Sequence, residues 1–71
     1  MPKLPLVSGA EAVKALERLG FVFLRQRGSH AILRCGERGC VVPMHRKIDP
    51  GTLRGVLKQA GVSPEEFVGN L

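Results

Sequence analysis

"RQRGSHAILRCGERGCVVPM", Arg25 to Met44, decides the fold. Two short runs of β-forming residues, "SHAILRC" and "CVVPM", flank "GERG", whose terminal glycines mark a turn. With "GERG" as the loop, Cys35 faces Cys40, Leu33 pairs with Val42, Ala31 with Met44, and His30 with His45. Alternation along a strand then sorts the side chains. Ala31, Leu33, Cys35, Cys40, Val42 and Met44 share one side, and all are small or apolar, so that side packs. His30, Ile32, Arg34, Val41, Pro43 and His45 share the other. Pro43 lacks an N–H, which puts its strand at an edge or ends it there. The preceding "FVFLRQ" suits a further strand, and Arg27-Gly28 reads as a two-residue turn that makes it an antiparallel neighbour. This sets Val22 and Leu24 on the packing side and Phe21, Phe23 and Arg25 on the open side.

Helices flank this core. In "SGAEAVKALERLG", Ser8 and Glu11 form a capping box, Ala12, Val13, Leu16 and Leu19 recur on one face, and Gly20 stops the helix. Asp49 caps a second helix with Pro50 at its first position, Leu53, Val56, Leu57 and Ala60 turned inward, and Gly61 at its end. "SPEEFVGNL" repeats the pattern with Ser63, Pro64 and Glu66 in a short terminal helix carrying Phe67 and Val68. The expected fold is α+β, an α-β-β-β-α sandwich with helices on one face of a three-stranded antiparallel sheet. Residues 1–71 read as a single domain with a thin core, since a chain this short buries only about 60% of its unfolded surface.

Eleven Lys and Arg against six Asp and Glu leave a net charge of +5, and the excess is concentrated. Between Arg25 and Lys58 the acids are Glu37 and Asp49 alone. Such a block favours a polyanion, an anionic surface or an acidic protein as partner. "MPKLPLVSGAE" lacks the apolar stretch of an export signal, and no segment is long enough to span a bilayer. A cytoplasmic protein is expected, with Cys35 and Cys40 as thiols.

His30 admits three readings. Zinc is invited by the even spacing of His30, Cys35, Cys40 and His45. Geometry opposes it: His30 and Cys35 point to opposite faces of one strand and lie roughly 16 Å apart at ~3.3 Å per residue. Neither a metal nor another cofactor is expected. An ordinary strand histidine is the plain alternative. The third reading is proton transfer: His30 follows the Gly28 turn on the open face with Arg25 as cross-strand neighbour, and nearby positive charge favours a neutral, basic imidazole. RNA supplies its own nucleophile, so such a base can drive 2′-hydroxyl attack on the adjacent phosphorus while arginines offset the charge on the phosphoryl oxygens. His45, if it faces His30, is either the acid for the leaving oxygen or a loop contact. At Pro50-Gly51-Thr52, helix N–H groups with Arg54 and Lys58 nearby form either a phosphate site or an ordinary solvated helix end.

"RQRGSHAIL" followed by "VVPMHRKIDPGTLRGVLKQAGVSPEEF" resembles the HicA (YcfA-like) toxins of bacterial type II toxin–antitoxin systems, and "LPLVSGAEAVKALERLGF" is similar to their opening helix. The resemblance implies a double-stranded-RNA-binding-domain-like fold and metal-independent, ribosome-independent mRNA cleavage. It puts the catalytic histidine at His30, with Gly28 and Ser29 completing the motif. It also implies a HicB-like antitoxin that covers the active site. Many relatives carry a second histidine where this chain has Ala31, a position that alternation turns toward the core. The expected activity is that of an mRNA endoribonuclease, with Arg25, Arg27, Arg34, His45, Lys47, Arg54 and Lys58 as candidates for holding RNA. The rivals are a noncatalytic RNA-binding module and a protein-interaction domain whose basic face meets an acidic partner.

Overall fold

The helices begin and end at their caps. In the computed structural model, which describes residues 4–71, the order is α1 (Gly9–Arg18), β1 (Val22–Arg27), β2 (His30–Cys35), β3 (Arg38–Pro43), α2 (Pro50–Ala60) and α3 (Pro64–Val68). Met1 to Lys3, the start of the segment read above for an export signal, lie outside the described residues. Ser8 Oγ accepts from the Glu11 N–H at 3.1 Å and Glu11 Oε1 accepts from the Ser8 N–H at 2.9 Å, a complete capping box. Ser63 and Glu66 repeat it on α3, and Gly61 ends α2 in the left-handed conformation. Each such cap stabilises its helix by about 1 kcal/mol. Among the described residues, no helix is long and apolar enough to cross a membrane.

The sheet runs β1-β2-β3, antiparallel throughout, with β1 and β3 as its edges. Helices cover one face only. Leu16 of α1, Leu53 and Leu57 of α2 and Phe67 of α3 meet Ala31, Leu33 and Val42 of the sheet in one buried cluster. Phe67 is fully buried despite the shortness of its helix, and burying such a ring is worth about 1.5–3 kcal/mol. Pro43 closes edge strand β3, as its missing N–H requires.

Both turns differ from the sequence expectation. Cys35 pairs with Arg38, Leu33 with Cys40, Ala31 with Val42 and His30 with Pro43, so Gly36-Glu37 alone makes the turn and His30 does not face His45. Gly28-Ser29, rather than Arg27-Gly28, joins β1 to β2, and Arg27 stands opposite His30. Gly28 has φ +59° and Gly36 +61°, while Ser29 and Glu37 keep negative φ, the pattern of type II′ turns with glycine first. The β2–β3 register therefore slips by two residues, which returns every side chain to its expected face.

β1 is where the face assignment fails. A bulge between Phe23 and Arg25 inserts one residue, so that Phe23 pairs with Leu33 on the packing side and Val22 with Arg34 on the open side. An odd insertion reverses the alternation of everything before it. Val22 and Leu24, expected inside, are 59% and 54% exposed, whereas Phe21, expected on the open face, lies ahead of the strand and is buried.

The start of α1 presses on the end of β3. The Gly9 N–H donates to the His45 carbonyl at 2.9 Å, and a Cβ on Gly9 would sit 2.6 Å from both the Met44 Cα and the Pro43 carbonyl oxygen. Nearby, Val7 and Ile48 form an antiparallel bridge, with the Ile48 N–H donating to the Val7 carbonyl at 2.7 Å. Helix layer and sheet are thereby stitched at one corner.

Three expectations follow from this packing. Gly9→Ala should lose about 1–3 kcal/mol in urea unfolding because backbone must move aside, while Ala10→Gly at the exposed neighbouring site should lose no more than about 1 kcal/mol. Gly28→Ala has open space around it and should still cost about 1–2 kcal/mol from the positive φ alone; D-alanine at that position, introduced by total synthesis, should restore stability. Burial pushes the Cys40 thiol up to about 11. An unfolded thiol ionises near about 8.5, so the unfolded chain releases a proton that the folded chain keeps, and the stability present at neutral pH declines as pH rises from there through the folded value. Urea midpoints of Cys40→Ala should decline less steeply over that interval than those of the wild type.

Candidate active site

Two hydrogen bonds define the tip of the first hairpin. The Gln26 side-chain amide donates to the Gly28 carbonyl at 3.0 Å, steadying the turn from within. The Met44 N–H donates to the Ser29 carbonyl at 2.6 Å, tying the turn to the chain that leaves β3. His30, the next residue, opens β2 with an exposed ring between Arg27 on one side and Pro43 on the other. Its expected neighbour Arg25 instead faces Ile32, two pairs further along.

The open face thus carries three rows across the sheet: Arg27, His30 and Pro43; Arg25, Ile32 and Val41; and Val22, Arg34 and Gly39. Three arginines and one histidine share it, and no acid occurs anywhere from Gly20 to Gly36. A strand pair without a carboxylate leaves its positive potential uncompensated locally. Arg34 is oriented by its Nε–H, which donates to the Gly36 carbonyl at 3.0 Å.

Beyond Pro43 the chain turns away as His45-Arg46-Lys47, all exposed. The Met44–Ser29 bond brings the root of this loop beside the Gly28-Ser29 turn, and the Gly9–His45 bond holds it from below. Arg46, not singled out from the sequence, joins His45 and Lys47 here; its place between two candidates was the available signal.

Other expected anion contacts do not gather at this site. Arg54 and Lys58 lie on α2 and line a groove of about 270 Å³ with Leu57, Val62 and Pro64, in the helical layer rather than on the open sheet face. At the start of α2, Asp49 Oδ2 accepts from the N–H groups of Gly51 and Thr52 at 3.1 and 3.3 Å. The helix end read as either a phosphate site or an ordinary solvated end is filled by the chain's own carboxylate, which also repels an incoming anion. Two further arginines serve the fold. Arg18 Nη1 donates to the Asn70 carbonyl at 2.6 Å, and Arg38 Nη1 donates to the Gly61 carbonyl at 3.3 Å while its guanidinium lies 5.9 Å from the Phe21 ring centroid.

Ala31, where a second histidine was in question, is fully buried on the packing face. Cys40 is buried there too, while His30 and His45 are exposed; among the described residues, no three of His, Cys, Asp and Glu converge as a ligand set. Gln59 of α2 also escaped the sequence reading. Its Oε1 accepts from the outward-facing Val41 N–H of β3 at 3.1 Å, a contact that exists only once α2 has docked.

None of the curated proteins matches this chain. The family model described as the HicA toxin of bacterial toxin–antitoxin systems matches residues 9–62, from the first residue of α1 through the end of α2. That span takes in the Gly28-Ser29-His30 turn, the whole sheet and the loop clamped by Gly9, and the chain accordingly belongs to the HicA toxin family.

Proposed function

We propose that this toxin is an mRNA endoribonuclease in which His30 is the general base, presented by the Gly28-Ser29 turn. The observation that carries the proposal is an exposed imidazole directly across from Arg27 on a sheet face whose first two strands contain no carboxylate. His30 takes the proton of a ribose 2′-hydroxyl, and the freed oxygen attacks the adjacent phosphorus. The bond from phosphorus to the 5′-oxygen breaks, that oxygen takes up a proton, and the products are a 2′,3′-cyclic phosphate and a 5′-hydroxyl. Because the nucleophile belongs to the substrate, the step as written uses no metal. Arg27 is positioned to offset charge growing on the phosphoryl oxygens. Arg25 and Arg34 on the sheet and Arg46 and Lys47 on the loop hold the flanking phosphates; Arg54 and Lys58, in the helical layer, are not assigned to this task.

The leaving oxygen requires a proton donor, and the loop carrying His45 begins beside His30's cross-strand neighbour Pro43. His45 is the protein's candidate for that role, with water as the alternative. Family membership implies an antitoxin. We assign it to the HicB type, covering the open sheet face, where exposed Val22, Leu24 and Val41 lie among the arginines and offer apolar area to bury.

The test incubates wild-type and His30→Ala protein with a long single-stranded RNA in EDTA and analyses the fragment ends. Wild type should yield cyclic phosphate ends, with the variant slower by about 10²–10⁴-fold and little changed in RNA affinity. RNA left intact but bound equally by both proteins would instead make this a noncatalytic RNA-binding module.

A further inference from the structure

Behind His30 the open face sinks into a hollow of about 220 Å³ lined by Leu24, Ile32, Arg34, Val41 and Gln59. Three features of the chain create it. The β1 bulge brings Leu24 alongside Ile32. Gly39, opposite Arg34, has no side chain to fill its corner. Gln59 closes the far wall from α2, across the edge of β3.

The polar groups at the rim are held in place. Arg34 is fixed through Nε to the Gly36 carbonyl, which leaves the plane of its guanidinium free to stack. Gln59 contacts the Val41 N–H, a donor, so the atom in that contact must be the amide oxygen and the NH₂ group is left to donate elsewhere. Apolar floor, guanidinium plane and a single donor amide are what an unstacked nucleobase needs: faces to lie against and a partner for an acceptor on its edge. The volume is below the roughly 300–1,000 Å³ of sites for drug-sized ligands, which suits one base. Ile32 lies two residues from His30 on the same face, about 7 Å along the strand, within the reach of a nucleotide whose phosphate sits at His30. Arg25, directly opposite Ile32, supplies positive charge at the border, the complement of a polyanion.

We propose that this hollow is a base-binding subsite, which holds one unpaired base of the RNA next to the cleaved phosphate and reads its edge through Gln59. The proposal rests on the ribonuclease reading, and its test therefore uses binding alone. Non-cleavable 2′-O-methyl pentanucleotides, intact or with an abasic residue at each position in turn, are titrated into wild type, Gly39→Val and Gln59→Glu by fluorescence anisotropy. A Cβ at Gly39 meets nothing closer than the Leu33 carbonyl oxygen at 3.7 Å, an ordinary contact, so a side chain can start there and valine's methyl groups take up volume of the hollow. Glutamate at Gln59 can still accept from Val41 and replaces the free donor by an acceptor.

For wild type, one abasic position should weaken binding on the order of tenfold. Gly39→Val should bind the intact oligomer at that weakened level and lose nothing further at the same position, the non-additivity expected of a shared contact. Gln59→Glu should change the rank order of the four bases there. Equal affinity for every abasic oligomer would overturn the proposal, as would variants that bind RNA like wild type and lose affinity only for the antitoxin, which would make the hollow a protein subsite. If wild type bound none of the oligomers, the RNA reading itself would fall and this assignment with it.

Discussion

Contact between the first turn of α1 and the end of β3 is the constraint on which the rest depends. Gly9 approaches Pro43 and Met44 so closely that no side chain fits between them, and its N–H takes the His45 carbonyl. One residue earlier along that strand exit, Met44 donates to Ser29. A helix start, a strand end and a hairpin turn are thus joined through consecutive residues, and His30 stands at the junction. Buried peptide groups must find partners, and here they find them across elements, so the candidate base is carried on three pieces of secondary structure instead of one exposed loop.

A basic surface is weak grounds for assigning individual residues, because a chain with this much positive charge puts Arg and Lys almost everywhere. Packing separates them by task. Arg18 and Arg38 close main-chain carbonyls of the helical layer, and Arg54 and Lys58 border a groove in that same layer. Arg25, Arg27 and Arg34 share a face with His30. Each group has a different electrostatic environment: the sheet face has no acid in its first two strands, whereas the start of α2 carries Asp49 on its own N–H groups.

Errors in reading the strands had unequal consequences. Moving the β2–β3 turn from four residues to two displaced every cross-strand pair, yet the faces survived because a strand repeats every two residues. The single inserted residue at the β1 bulge did more, since one residue is half a repeat; it exposed Val22 and Leu24 and paired Phe23, itself 40% exposed, with Leu33 of the packing side. Nothing in "FVFLRQ" distinguishes a bulged strand from a regular one, because the bulge is a property of the pairing. The Gly-first turns were legible in principle, as Gly28-Ser29 and Gly36-Glu37 both carry the residue that a type II′ turn demands.

What the sequence determined by itself was local. Ser8 with Glu11, Asp49 before Pro50 and Ser63 with Glu66 set the helix starts, and the glycines that follow set most of the stops, because caps act over three or four residues of chain. The α-β-β-β-α order, the apolar side of β2 and β3 and the exposure of His30 all rest on such short-range chemistry and on alternation. Only the tertiary structure decided that Arg27, and not Arg25, stands opposite His30, and that Gln59 reaches from α2 to the edge of β3. Those outcomes depend on register and docking, which are settled by groups far apart in the chain competing for the same partners.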